Sequence, residues 1–153
     1  MPVHVATVVW ERGADEAFAD GRFHRGHHWT FDGGLMVRAS SSPAVIPRYS
    51  DASGIDPEEA FVASLSSCHM MSFLYVAGKR GLVVNRYSDT AEGLLSRTAE
   101  GQYWISRVVL RPLIVWEGDA PDEATIADLH DLAHRECFIA HSVRTEVSVE
   151  PAA

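Results

Sequence analysis

The segment DPEEAFVASLSSCHMMSFLYVAG at residues 56–78 limits the fold of this chain more than any other part of the sequence. Asp56 is a good N-cap, Pro57 suits the first helical position, and Glu59 completes the spacing of a capping box. A helix is therefore predicted from Pro57 to about Ala77, where glycines follow as stop signals. Its apolar side chains cover more than one face: Phe61, Val62, Leu65, Cys68, Met71, Phe73, Leu74 and Val76. A helix that is apolar most of the way round must be enclosed on several sides.

Strands are predicted both before and after this central helix. The turn signal DGG at residues 32–34 lies between two strand-like segments and favours a hairpin. The segment PDE at residues 121–123 opens a second helix, whose apolar residues fit a single buried stripe. The predicted strands are residues 3–10, 22–31, 34–40, 82–88, 91–97, 103–116 and 143–149. This grouping indicates an α+β fold with helices packed on an antiparallel sheet, as a single domain over residues 1–153.

Composition and charge exclude several classes of function. The 153 residues carry a formal net charge of −8 and no Lys/Arg run, which argues against a nucleic-acid surface. Serines and a histidine interrupt the longest apolar-rich segment, residues 60–77, which argues against a membrane span. The N-terminus has no basic region followed by an apolar run, so we expect no signal peptide and a cytoplasmic protein. Stable disulfides are uncommon there, and cysteines are more often redox-active, metal-binding or inert.

The two cysteines, Cys68 and Cys137, are the first candidates for chemistry. A cysteine on an apolar helix is usually a small buried hydrophobe, but serines at positions 64, 66 and 67 leave room beside the Cys68 sulfur. A peroxide-reducing cysteine needs a cation that keeps it as the thiolate and a carboxylate that aims the cation. It also needs a second thiol that captures the sulfenic acid. Arg48, Glu58 and Cys137 could supply these three groups.

Two motifs resemble the OsmC/Ohr family of osmotically inducible protein C and organic hydroperoxide resistance proteins. The segment DPEEAFVASLSSCHM, residues 56–70, is similar to the family's helix motif NPEELxxAAxxxC, and an arginine lies twenty residues before the cysteine. The segment RECFIAHSV, residues 135–143, is similar to the family's second cysteine motif. The resemblance covers nearly the whole chain and includes the order of the elements. Phe138 stands where the family usually has proline, and His69 follows Cys68 directly.

This resemblance implies an OsmC-like fold, with antiparallel sheets packed around a long central helix, and an intertwined homodimer. It also implies a thiol-dependent peroxidase that reduces organic hydroperoxides in defence against oxidative stress. Cys68 would be the nucleophile, Arg48 would hold it as the thiolate, and Glu58 would orient Arg48. Cys137 would then resolve the sulfenate as a disulfide, and a dithiol such as a lipoylated protein would reduce that disulfide. No bound cofactor is needed, because the sulfur itself carries two electrons.

Helix geometry makes the expected site a property of the dimer. Glu58 and Cys68 are ten residues apart on one predicted helix, which is roughly 15 Å along its axis. An Arg48–Glu58 pair cannot reach Cys68 of its own chain if the helix is regular, but it can if a second helix lies antiparallel across a two-fold axis. We expect two composite sites, each with Cys68 and Cys137 from one chain and with Arg48 and Glu58 of the partner subunit.

A zinc site is one alternative that the sequence leaves open. If the second helix continues far enough, one stripe of it carries His130, His134, Cys137 and His141. These ligand types and this spacing are tolerable for zinc. The β-branched residues after Cys137 instead favour an end of the helix near that position. In that case, His130 and His134 would border the buried stripe and face solvent or a partner.

A second alternative is a non-catalytic member of the family that binds an apolar ligand in the dimer cleft. The candidate lining residues are Met70, Met71, Phe73, Tyr49 and Trp29. Arg22 and Arg25 are further candidates for the activating cation.

Overall fold

A computed structural model describes residues 1–150 of the chain. The chain divides into two compact units, one of residues 1–60 and one that starts at Phe61. The prediction of one domain over residues 1–153, whose last three residues lie outside the described part, stays a prediction.

The first unit is a three-stranded antiparallel sheet followed by a long loop. Its strands, adjacent in this order, are β1 (Ala6–Val9), β2 (His27–Phe31) and β3 (Met36–Ala39). Strands β2 and β3 form the predicted hairpin, and Gly34 in its turn has a φ of 82°, which glycine adopts without steric cost. Residues 40–56 form an irregular loop.

Helix α1 spans Pro57–Lys79 and begins with the predicted capping box. The Glu59 N–H donates to Asp56 Oδ1 at 2.7 Å, and the Asp56 N–H donates to Glu59 Oε2 at 3.1 Å. Met71 and Tyr75 are exposed, so within one chain the helix is not enclosed on several sides as we predicted. One stripe of the helix is buried, and its members are Leu65, His69, Phe73 and Ala77.

By length and composition alone, helix α1 would also suffice to cross a membrane. Core helices of water-soluble proteins share these properties, and one stripe of α1 packs against apolar residues of the second unit. The prediction against a membrane span stays a prediction.

In the described part of the chain, five strands follow α1 and form two small sheets. They are β4 (Val84–Asp89), β5 (Glu92–Arg97), β6 (Tyr103–Leu110), β7 (Pro112–Trp116) and β8 (Glu146–Val149). Strand β4 pairs with β7, and β6 lies between β5 and β8. The β6–β8 pair is parallel, which is a local exception to the antiparallel pattern that we predicted.

The long strand predicted at residues 103–116 is in fact two strands that separate at Arg111. The Arg111 N–H donates to the side-chain carboxylate of Asp89, the last residue of β4, at 2.6 Å. Pro112 has no N–H to donate, so the ladder of hydrogen bonds is interrupted at two consecutive residues. The chain passes from one sheet into the other at this point.

Helix α2 spans Glu123–Glu136. Asp122 caps it by accepting a hydrogen bond from the Thr125 N–H at 2.7 Å, in agreement with the predicted helix start. A short 3-10 turn follows at Ala140–Ser142.

Two apolar clusters stabilise the second unit. The first joins α1 to α2 and is centred on Phe73, Ala77, Leu129 and Ala133. The second joins α1 to β6 and is centred on Leu65, Val108 and Leu110. In the buried stripe of α1, His69 therefore lies between residues that belong to the two clusters.

Candidate active site

Cys68 lies on a second stripe of α1, beside the buried one. Met71, Ser72 and Tyr75 follow Cys68 at spacings of three, four and seven residues, so these side chains share one face of the helix. Cys68 is half-buried, whereas Met71 and Tyr75 are 63% and 60% exposed. The Cys68 side chain is therefore at the boundary between the protein interior and an open surface.

Cys137 is the C-terminal cap of α2. Its backbone has left the helix, with φ −79° and ψ 107°, which confirms the prediction that the helix ends near this residue. Its side chain is only 1% exposed. The Ala140 N–H donates to the Cys137 sulfur at 3.5 Å, and the His141 N–H donates to the Cys137 carbonyl oxygen at 3.2 Å. These contacts fix the second cysteine inside the protein.

The two thiols are neighbours in the fold although 69 residues separate them in the chain. Burial raises the pKa of Cys137, and the adjacent Cys68 side chain adds to this as a hydrogen-bond partner and as a like charge. The Ala140 N–H acts in the opposite direction, and the resulting pKa is about 11. Cys137 is therefore a neutral thiol at neutral pH, and both cysteines are free in this structure.

A pocket of about 500 Å³ opens beside Cys68. Phe138, which is 79% exposed, stands opposite the α1 stripe as one wall of this pocket. The lining residues are Cys68, Met71, Ser72, Tyr75, Glu136 and Phe138. A mostly apolar concave surface with few polar groups is typical of a site for a small organic molecule.

The other two predicted site residues, Arg48 and Glu58, belong to the first unit. Arg48 is exposed in the loop between β3 and α1, and Glu58 is half-buried in the first turn of α1. No ion pair joins the two side chains within residues 1–150. Tyr49, directly after Arg48, has a φ of 68°, a strained value for a residue other than glycine, and such strain often marks functional loops. The roles of Arg48 and Glu58 stay predictions.

Arg22 and Arg25, the two further candidate cations, have local partners within the first unit. Arg22 forms an ion pair with Asp20 at 2.6 Å. The Arg25 guanidinium lies 3.5 Å from the centre of the Phe23 ring and donates to the Phe23 carbonyl oxygen at 3.0 Å. Both guanidinium groups are thus already engaged.

His69 and His130 form a buried hydrogen-bonded pair. His69 Nε2 lies 3.0 Å from His130 Nδ1, and the ring planes are 12° apart. The two residues are 1% and 5% exposed, so the expectation that His130 faces solvent or a partner is wrong. The sequence did contain a signal for His69, because it follows Leu65 and precedes Phe73 by four residues each, within the buried stripe.

The histidines and the cysteine of the zinc hypothesis do not form one stripe. Helix α2 ends at Glu136, and His141 lies in the following 3-10 turn, where its Nε2 is 2.7 Å from the Arg135 carbonyl oxygen. His134 is exposed, in agreement with its predicted place at the edge of the buried stripe. In the part of the chain that the structure describes, no group of three or more His, Cys, Asp or Glu side chains could hold a metal ion.

Residues 50–152 match the family model described as OsmC-like protein. The chain is also similar to the structure of an OsmC-like protein of unknown function from Vibrio cholerae. The two are 46% identical, the match covers 99% of this chain and 100% of that one, and the TM-score is 0.94. Among curated proteins, no sequence matches this chain.

Two organic hydroperoxide resistance proteins share the fold at lower identity. The protein from Legionella pneumophila is 20% identical over 99% of this chain and 96% of its own, with a TM-score of 0.71. The protein from Bacillus subtilis is 18% identical over 98% of each chain, with a TM-score of 0.67. At these identities the likeness is one of fold.

Proposed function

Since this chain belongs to the OsmC-like protein family, we propose that it reduces organic hydroperoxides through a two-cysteine cycle at Cys68 and Cys137. One observation carries the proposal. A half-buried cysteine that lines an apolar pocket lies next to a second cysteine that is 1% exposed. A peroxide in the pocket would meet Cys68 first, and the oxidised sulfur would then already lie beside the thiol that resolves it.

The cycle balances with an external dithiol as the reductant. The Cys68 thiolate attacks the terminal peroxide oxygen, the O–O bond breaks, and the alcohol leaves after it takes up a proton. Cys68 is then a sulfenic acid. The Cys137 sulfur attacks the Cys68 sulfur, a disulfide forms, and water leaves. A dithiol such as that of a lipoylated protein reduces the disulfide, so the peroxide gains the two electrons that the dithiol loses.

The proposed substrates are organic hydroperoxides because of the pocket. Met71, Tyr75 and Phe138 offer apolar contacts that an alkyl or aryl group can fill and that hydrogen peroxide cannot. Each buried CH₂ group contributes about 0.8 kcal/mol. An organic group that buries three of them should therefore raise kcat/KM more than tenfold. We place this activity in the cytoplasm, in defence against oxidative stress.

The activating cation is proposed to be Arg48 of the partner subunit, aimed by the partner's Glu58. Helix α1 is uninterrupted from Pro57 to Lys79, which supports the distance of roughly 15 Å along the axis between its first turn and Cys68. The exposed Met71 and Tyr75 side chains on α1 also favour a second chain as a partner.

The cycle is tested by adding cumene hydroperoxide or hydrogen peroxide to the reduced protein, with a dithiol for continuous turnover. Before the dithiol is added, we expect both thiols to disappear and the mass to fall by about 2 Da. With the dithiol present, we expect kcat/KM to be at least about tenfold higher for cumene hydroperoxide. Unchanged thiols would overturn the proposal.

The shared site is tested by mixing two inactive variants, Arg48→Ala and Cys68→Ser, under conditions that exchange subunits. Mixed dimers contain one site with intact cysteines and an intact arginine of the partner subunit, so turnover should return. The matched control mixes Arg48→Ala with the double variant Arg48→Ala/Cys68→Ser, which offers no intact combination. Absence of any recovery in the first mixture would place the arginine and the cysteine in the same chain.

Binding of an apolar ligand without catalysis is the second candidate function, and the same pocket favours it. Of the lining residues predicted for it, Met71 does line the pocket, whereas Phe73 belongs to the core between α1 and α2. Saturable binding of a nonpolar fluorophore, together with thiols that do not react with peroxide, would support this alternative.

A further inference from the structure

The His69–His130 pair is a polar contact at an otherwise apolar helix interface. The neighbours of His69 on the buried stripe are apolar in both directions, and the Phe73 ring lies 4.5 Å from the His130 ring. On α2, His130 adjoins Leu129, which is 0% exposed. An aliphatic pair would suit these surroundings and would leave no polar atom to satisfy.

The pair also leaves polar atoms without a partner. In residues 1–150, no protein group makes a hydrogen bond with His69 Nδ1 or His130 Nε2, although both atoms are buried. Each such atom costs about 1–3 kcal/mol. Burial lowers the pKa of both histidines to about 4. The negative charges of Asp131 and Asp89 act in the opposite direction on the pKa of His130, but burial outweighs them. Both rings are therefore neutral at neutral pH, and one ring nitrogen donates to the other.

The position of the pair relative to the cysteines suggests what the polar contact is for. His69 directly follows Cys68 on α1, so the two side chains leave that helix about 100° apart around its axis. Their partners on α2, His130 and Cys137, are seven residues apart, which is about 10 Å along the helix. A contact that leaves α1 in this direction opposes rotation of α1 about its own axis, and such a rotation would move Cys68 away from Cys137.

We propose that the hydrogen bond between His69 and His130 sets the rotation of α1 against α2 and thereby holds the Cys68 sulfur beside Cys137. The two histidines are positioning residues and do not touch the peroxide. This inference rests on the proposed two-cysteine cycle, but it concerns disulfide formation and can be tested without a peroxide.

The physical reason is the difference in directionality between apolar packing and a hydrogen bond. The free energy of apolar burial does not depend on direction, whereas a ring-to-ring hydrogen bond is satisfied over a narrow range of angles. A disulfide likewise needs Cβ atoms about 3.5–4.5 Å apart and a defined dihedral angle. Single buried polar residues fix the register of coiled coils at some cost in stability, and the histidine pair would act here in the same way.

The test measures the effective concentration of the Cys68 and Cys137 thiols at equilibrium with glutathione buffers. His130→Leu should lower it at least about tenfold, equivalent to a rise of about 30 mV in reduction potential. The double variant His69→Leu/His130→Leu should be at least as stable to urea as the wild type, because no buried nitrogen is left unpaired. It should nevertheless show the same lowered effective concentration.

Two further variants separate positioning from general packing. His69→Gln places an amide near the position of Nε2, and it should keep the effective concentration within about threefold of the wild type. Phe73→Leu loosens the packing on His130 without removing the hydrogen bond, and it should change stability but not the thiol equilibrium.

Three results would overturn the inference. The first is an unchanged thiol equilibrium in a folded His69→Leu/His130→Leu variant. The second is an equal shift of the thiol equilibrium in Phe73→Leu. The third is a failure of the His69→Leu/His130→Leu variant to fold. A failure of the proposed function would look different: the thiol equilibrium would respond to the histidine variants as expected, but peroxide would not be consumed.

Discussion

Cys68 and Cys137 are adjacent in space, but their surroundings are opposite. Cys68 is half-buried on a helix face that it shares with exposed side chains, and it lines an apolar pocket. Cys137 is 1% exposed, caps the end of α2, and accepts a hydrogen bond from the Ala140 N–H. The two sulfurs thus differ in accessibility. Small molecules can approach the Cys68 sulfur, whereas the Cys137 sulfur is buried beside Cys68.

This asymmetry matches the two tasks of a two-cysteine cycle. A nucleophile must be accessible, whereas a resolving thiol should remain protonated and protected until a sulfenic acid appears. Burial is the main cause of the raised pKa of Cys137, so this thiol stays protonated and protected, as the second task requires.

The largest expected effect concerns the two cysteines themselves. Cys68→Ser should lower peroxide turnover by at least about a thousandfold, because a serine hydroxyl is a weak nucleophile without a base. Cys137→Ser should still react once per chain and should retain the sulfenic acid, visible as a gain of about 16 Da in mass. Equal loss of the first turnover in both variants would remove the distinction between nucleophile and resolver.

The next effect tests the burial of Cys137 through the pH dependence of stability. Its folded-state pKa is about 11, above the ordinary thiol value of 9.0. Between these values the folded chain binds more protons than the unfolded chain, so the free energy of unfolding falls as pH rises, by up to about 1.4 kcal/mol per pH unit.

Cys137→Ala removes this contribution and is the comparison that isolates it. The stability difference between wild type and variant, measured by urea unfolding, should therefore shrink from pH 9 to pH 11. Parallel curves over that range would mean that the Cys137 thiol titrates alike in the folded and unfolded chains.

The smallest expected effect concerns the wall of the pocket beside Cys68. Phe138→Ala should lower kcat/KM for cumene hydroperoxide about three- to tenfold and should leave hydrogen peroxide nearly unaffected, because only the organic group loses apolar contact. Tyr103→Ala is the matched control, since Tyr103 is a similarly exposed aromatic residue that does not line the pocket. A proportional loss for both peroxides in Phe138→Ala would show that Phe138 acts on the chemistry and not on the substrate.

Local signals made much of the fold predictable. The capping box at Asp56 and Glu59 and the cap at Asp122 depend on residues three apart, and the structure confirms each of them. The separation of one long predicted strand into β6 and β7 was missed, although Pro112 was a visible signal. The Asp89 carboxylate, 22 residues earlier in the chain, completes the break because it accepts a hydrogen bond from the Arg111 N–H.

The candidate site was predictable to the extent that its chemistry follows from residue types. The requirement for a second thiol pointed to Cys137, and the fold brings it beside Cys68. The His69–His130 pair could not be predicted, because 61 residues separate its members and no local sequence pattern links them. The expected enclosure of α1 on several sides is not seen within one chain, which leaves Met71 and Tyr75 exposed.

The most direct test of the account is peptide mapping of the oxidised protein. Natural-abundance and nitrogen-15-labelled chains are mixed under conditions that exchange subunits, treated with one equivalent of cumene hydroperoxide, alkylated and digested. We predict one disulfide-linked pair of peptides, which contains Cys68 and Cys137, with both peptides carrying the same label because they come from one chain. Cys68 and Cys137 peptides that remain alkylated and unlinked after peroxide has been consumed would contradict the account.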